Sequence, residues 1–258
     1  MKKKMMLYIP TVLLGLLATY LQNGVLANGF DEKGLLILNN PSLLVLWGLT
    51  AVFLLGILAI LPGLGNGGSY RKLFPRCALS GSAMIAAGLF LGFVGVDQMV
   101  PGRMGYGLFT FAAAGSMVLC GVCRLMGSRP LVVLDLLVCV FYAANLLWSY
   151  GDWNANPQIQ RYGFQLLAGI AAMLFSLHRG RCAAGVLDRK RLVYMGFAGT
   201  FLSFAAIPGA QSVAYYLASG LWCAGGMCEL KRFRRKRRVA EEPVEEQPET
   251  VPEPTEEI

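Results

Sequence analysis

Eight apolar runs of about 17 to 22 residues follow one another along this chain, and nearly every charge falls between them. They are Met5–Leu26, Ser42–Leu61, Cys77–Val96, Met104–Cys123, Leu131–Tyr150, Tyr162–His178, Leu192–Pro208 and Ser212–Cys228. A run of about 20 such residues, rising 1.5 Å each, crosses a hydrocarbon layer roughly 30 Å thick. Backbone polar groups in lipid must be satisfied within the segment, so the runs are expected to be helices. The residues are 55% hydrophobic and 15% charged, well below the charge of a soluble domain. The expected fold class is all-α: a polytopic transmembrane helix bundle of about eight spans over residues 1–230. Residues 231–258 form a second region, a cytoplasmic basic anchor with a disordered acidic tail.

Basic residues orient the bundle. Alternate connections and the two ends hold 20 Lys and Arg, in MKKK, around Arg71–Arg76, at Arg124 and Arg129, over Arg179–Arg191 and in KRFRRKRR (231–238). The other connections hold 3: Lys33, Arg103 and Arg161. Positive charge accumulates on the cytoplasmic side, so both termini are expected there. Trp148, Tyr150, Trp153 and Tyr162 around one outer loop fit an interfacial belt. The stretch from Leu192 to Cys228 has basic flanks at both ends, which a hairpin at Ile207–Gln211 with Pro208 and Gly209 accommodates. At the other terminus, MKKK, an apolar run and Val25-Leu26-Ala27 also fit a cleavable signal peptide.

The basic run reads as a stop-transfer anchor. Lys231, Arg232, Arg234, Arg235, Lys236, Arg237 and Arg238 are expected to touch anionic lipid headgroups. Val239–Ile258 carries eight Glu, no Lys or Arg and four Pro, and cannot bury a core. It is a solvated tail, or one that folds back on the basic run or docks a cytoplasmic protein partner. Nucleic acid is not an expected partner.

Polar residues inside spans are costly and point to function. Asp135, Cys139, Tyr142, Asn145 and Ser149 recur every three to four residues and share one helical face of the fifth span. Gln165 in the sixth span and Gln22-Asn23 in the first are candidate partners. Asp135 either pairs Arg124 or Arg129 in a satisfied interior network or lies on a solute or ion path. Gly88 and Gly92 form a GxxxG, with Gly81 and Gly95 on nearly the same face, and suit close helix packing. Cys120-x-x-Cys123 and Cys223-x4-Cys228 lack the further ligands of a zinc site and read as small packing residues. None of the seven cysteines falls in an outer loop, so no disulfide framework is expected. Neither a metal nor a cofactor is expected. The glycine-rich Gly63–Ser69 lacks the ending of a phosphate-binding loop. Asn40-Pro41 with Asn156-Pro157, and Gly121–Leu125 with Gly226–Leu230, suggest two parallel halves of four helices.

GFDEKGLL (29–36) and NANPQIQRYGFQLLAGIAAMLF (154–175) resemble segments of a group of uncharacterised multi-pass membrane proteins of clostridial-type Gram-positive bacteria. The resemblance implies a bacterial plasma membrane and carries no activity or site residue. Three function classes follow. A non-enzymatic scaffold, sensor or accessory subunit is the first reading, fitting the short loops, the few intramembrane charges and the charged tail, with transport as the alternative. A small-solute or ion transporter fits the polar face of the fifth span. An enzyme fits least, because no HExxH, clustered His and Asp, or nucleophile with a base appears.

Overall fold

A computed structural model describes residues 2–31, 37, 40–63, 70–101, 104–154, 162–186 and 188–227. The basic run at 231–238, the acidic tail and most of the glycine-rich connector lie outside these residues. Among them the chain is all-helical. Its long helices are α1 (Lys2–Asn28), α2 (Pro41–Ile60), α4 (Ala78–Asp97), α5 (Met104–Met126), α6 (Val132–Asn154), α7 (Gly163–Ala184), α8 (Arg189–Ala205) and α9 (Val213–Gly226). A single turn, α3 (Tyr70–Leu73), lies between α2 and α4.

Local chemistry places the ends. Asn40 caps α2 by accepting from the Ser42 amide at 2.9 Å, and Pro41 occupies the first turn, where no amide is needed. Gly185, in the left-handed region at φ 99°, closes α7, and the Val186 amide returns to the Arg181 carbonyl at 2.9 Å. Gly209, at φ 74°, turns the chain between α8 and α9, and Ser212 caps α9 by accepting from the Tyr215 amide. The expected hairpin is therefore present.

Among the described residues, five helical segments are long and apolar enough to cross a membrane: Pro10–Asn28, Pro41–Ile60, Ala78–Asp97, Met104–Met126 and Val132–Gly151. The protein is thus a helical bundle compatible with membrane insertion. The last three helices differ for physical reasons. Helix α7 runs six residues beyond the expected end at His178 and takes Arg179 and Arg181 into its last turns. Helices α8 and α9 have only 17 and 14 residues, most of them buried.

Neighbours pack α4 on α5 and α9, α6 on α5 and α7, and α8 on α1, α7 and α9. Helix α1 is a packed member of the bundle, and the Thr19 hydroxyl donates to the Phe204 carbonyl of α8 at 2.8 Å. Helices α7, α8 and α9 are mutual neighbours, whereas α1 with α2 and α4 with α5 form separate pairs. The two halves therefore pack differently, and the short sequence matches between them do not extend to a shared arrangement.

Glycine sets the closest approach, although not as the GxxxG spacing suggests. A Cβ on Gly88 would stand 2.7 Å from the Ala114 carbonyl and 2.6 Å from Val118, and one on Gly81 would meet Leu125 at 2.6 Å. Gly95 abuts the Phe111 ring, while a Cβ on Gly92 would meet nothing within 4 Å. The seam is Gly81, Gly88 and Gly95, a seven-residue repeat facing α5, and Gly92 lies off it. We expect Gly88→Ala to force the helices apart and cost about 1–3 kcal/mol. Gly92→Ala should be neutral or gain up to about 1 kcal/mol. Thermal unfolding midpoints of the two variants in one detergent make the comparison.

Candidate functional site

Most of the polar residues of α6, α7 and α9 face a common axis, and together they form one column through the bundle. Its basic end lies beside Arg124, Arg129 and Arg179, and its far end lies beside Gln98 and Gln165.

At the basic end the column holds a buried ion pair. Asp135, fully buried in the first turn of α6, lies 3.6 Å from Arg179 Nε, and the Arg179 side chain is only 3% exposed. Gly180 lets α6 approach: a Cβ there would stand 3.3 Å from Asp135 Cβ. The Cys120 thiol donates to Asp135 Oδ1 at 3.8 Å, and the Arg179 guanidinium stacks over the Trp222 ring at 4.5 Å. Asp135 Oδ2 and Arg179 Nη1 have no hydrogen-bond partner among the described residues. The partner of Asp135 is thus neither Arg124 nor Arg129. Arg124 donates to Ser80 Oγ at 3.1 Å and Arg129 to the Ala183 carbonyl. Arg179 was hidden from the sequence because it follows the apolar run and resembles loop charge; the extra turns of α7 carry it inside.

Aromatic residues at the start of α3 and just after it cap this end. Tyr70 stacks on Phe74 at 4.6 Å, Arg124 lies 5.0 Å over the Phe74 ring, and Arg129 lies 5.9 Å over Tyr70. Burial pushes the Tyr70 phenol up to about 12, against the pull of Arg179, so it is neutral throughout the physiological range. Beside the cap, Asp188 gathers Arg191 at 3.3 Å, Arg181 at 3.8 Å and His178 Nδ1 at 3.9 Å.

Hydroxyls occupy the middle. Tyr142, fully buried, donates to Ser219 Oγ at 3.0 Å, and Ser219 donates to the Tyr215 carbonyl at 2.8 Å. The Trp222 indole donates to Ser176 Oγ at 2.9 Å. These bonds link α6 to α9 and α9 to α7, so each of these four side chains is answered by a neighbour.

At the far end the column widens into a cavity of about 100 Å3. Helix α6 contributes Asn145 and Ser149, α7 contributes Gln165, and the end of α4 contributes Val94 and Gln98. Gln211 and Ser212 of the hairpin and Tyr215 and Tyr216 of α9 complete the wall. The Tyr106 hydroxyl holds Asn145, and the Thr110 hydroxyl lies 2.6 Å from Gln98 Oε1. The buried Tyr215 hydroxyl has no hydrogen-bond partner among the described residues; the Asn145 amide lies beside it without the geometry of a bond.

The sequence-selected residues are therefore divided between two places. Asn145, Ser149 and Gln165 meet at the cavity, Asp135 lies at the opposite end, and Tyr142 stands between. Gln22 is buried on α1 and Asn23 is exposed, and neither lines the cavity. Gln98, Gln211 and Tyr215 were missed; the spacing of Ser212, Tyr215, Ser219 and Trp222 is the signal that could have found the α9 face. The six described cysteines are free thiols, and no three His, Cys, Asp or Glu converge among the described residues.

No family model matches the chain, and neither the curated proteins nor the solved structures contain a significant match.

A buried charge left alone is far costlier than a buried pair. Asp135→Ala should therefore lose about 3–5 kcal/mol, and Asp135→Leu with Arg179→Leu should recover most of it. Unfolding in nanodiscs decides; if the double variant loses as much as the two single ones together, the residues are not coupled.

Proposed function

We propose that this chain is a non-enzymatic, multi-pass protein of a bacterial plasma membrane that admits a small solute along the polar face of α6. One observation carries the proposal. The far-end cavity gathers side chains from α4, α6, α7, α9 and the hairpin, and the polar face of α6 continues from it to a buried ion pair. Intramembrane polar groups are expensive, and a column of them ending in an open cavity is the arrangement expected of a solute path. The Tyr142–Ser219 bond and the α3 cap close the path below the cavity, as in a carrier open to one side. The cavity wall offers amides and hydroxyls with no acid, base or thiol, which supports a binding role over a catalytic one.

In this proposal all eight long helices span the bilayer and the basic end is cytoplasmic. The 20-to-3 division of Lys and Arg supports that orientation. The basic residues at 231–238 then meet anionic headgroups, each contributing about 1 kcal/mol near the surface. The acidic tail remains a candidate contact for a cytoplasmic partner. A scaffold or sensor role rests mainly on that tail and leaves the cavity without a use.

Two measurements test the proposal. In a variant lacking the native cysteines, cysteine at Ser149 should react with a membrane-impermeant thiol reagent in intact cells. Cysteine at Ser128, exposed at the basic end, should react only after permeabilisation. The reverse pattern would invert the orientation. Proteoliposomes should also take up at least one of ethylene glycol, acetamide, acetate and methylammonium faster than protein-free vesicles. Asp135→Asn should slow that uptake when equal amounts of folded protein are compared, since the Arg179 charge it leaves unpaired also lowers stability. Equal uptake of all four probes with and without protein would leave the scaffold role standing.

A further inference from the structure

We propose that the far-end cavity selects an uncharged solute of a few heavy atoms that both donates and accepts hydrogen bonds, such as a short polyol or a carboxamide. This names the substrate class of the site proposed above and rests on that reading.

Size sets the first limit. The cavity holds about 100 Å3. An engineered cavity of about 150 Å3 in another protein takes benzene, with its six carbons, while drug-sized ligands need about 300 Å3 or more. The space here therefore suits roughly four or five heavy atoms.

Charge sets the second. No residue lining the cavity is charged at neutral pH. The buried carboxylate on the same face, Asp135, lies ten residues before Asn145, about 15 Å along the helix, and is already paired with Arg179. Asp97, next to Gln98, is exposed to its surroundings. An ion entering the cavity would lose water and meet no counter-charge, so either sign is disfavoured.

Hydrogen-bonding capacity sets the third. Asn145 and Gln98 are oriented by Tyr106 and Thr110, each through one end of its amide, which leaves the other end available. Ser149 and Gln165 supply both donors and acceptors. Tyr215 adds a further group: its hydroxyl is buried at the cavity wall, beside the Asn145 amide but outside hydrogen-bond geometry with it. Buried polar groups are nearly always partnered, and a solute hydroxyl or carbonyl here would complete the set. An apolar solute of the same size would leave these groups desolvated and unanswered.

Saturation-transfer NMR on the full chain in nanodiscs tests the selection, with ethylene glycol, acetamide, acetate and methylammonium as probes. Ethylene glycol and acetamide should show dissociation constants at least about tenfold below those of the two ions. Tyr215→Phe and Gln165→Leu should each weaken the binding of the uncharged probes by about fivefold, the effect of one lost hydrogen bond. Tyr215→Phe removes a single oxygen from an unbonded position, so an unchanged unfolding midpoint separates lost binding from lost fold. Tighter binding of either ion, or no effect of both substitutions, overturns the selection. Absence of signal from all four probes also overturns it and leaves the cavity to water. Selective binding of the uncharged probes without uptake into proteoliposomes would uphold the substrate class and defeat transport alone.

Discussion

Polar side chains on otherwise apolar helices can be buried at low cost only when they face one another, and this constraint organises the bundle. Asp135 meets Arg179, Tyr142 meets Ser219, Ser176 meets Trp222, and Asn145 meets Tyr106. Each contact joins two different helices, so each fixes a rotation as well as a distance. A helix turned by one residue, about 100°, would withdraw its whole stripe from the axis. The apolar remainder tolerates many arrangements, whereas the polar column is compatible with few. That is a matter of specificity more than of net stability, since a buried ion pair gains little over apolar residues of the same shape.

Close packing then decides how near the helices come. Gly81 and Gly121 face each other across α4 and α5, and Gly225 brings α9 onto the Ser80 carbonyl of α4. Gly180 does the same for α7 against Asp135. Dispersion acts over short distances, and lipid chains are as apolar as leucine, so surface matching of this kind is a main source of helix association in a bilayer. Small residues and polar bonds are therefore complementary: the first let backbones approach, and the second choose the register.

Much of this was legible in the sequence, and the failures have physical causes. The eight apolar runs coincide with the eight long helices because run length and helix length answer to the same rise per residue. The stripe on α6 was visible because its polar residues recur at helical spacing among Leu and Val. Its partners were harder to see. Arg179 lies past the last apolar residues of its run, where charge ordinarily means solvent, and only the continuation of α7 to Ala184 brings it inside. Tyr215 and Trp222 count as apolar or amphipathic by composition, so their polar atoms left no mark on the hydropathy pattern. Gly92 was misplaced because a four-residue spacing and a seven-residue spacing both lie near one helical face, and only the neighbour, α5, distinguishes them. The cavity, built from four stretches far apart in sequence, had no local signature at all.

The shortness of α8 and α9 has a consequence for the surrounding lipid. Seventeen and fourteen residues span about 25 and 21 Å, less than a typical hydrocarbon core. Such helices exposed to lipid would thin the bilayer or tilt their neighbours. Here most of their residues are buried, and longer helices, among them α2, α5 and α6, present Leu44, Val52, Leu55, Leu119, Val133 and Val140 outward. In the bilayer setting proposed above, hydrophobic mismatch would be set by the outer helices, while the centre could be shorter than the membrane is thick. A change in acyl-chain length would bear first on α2, α5 and α6 and reach the polar column only through their packing.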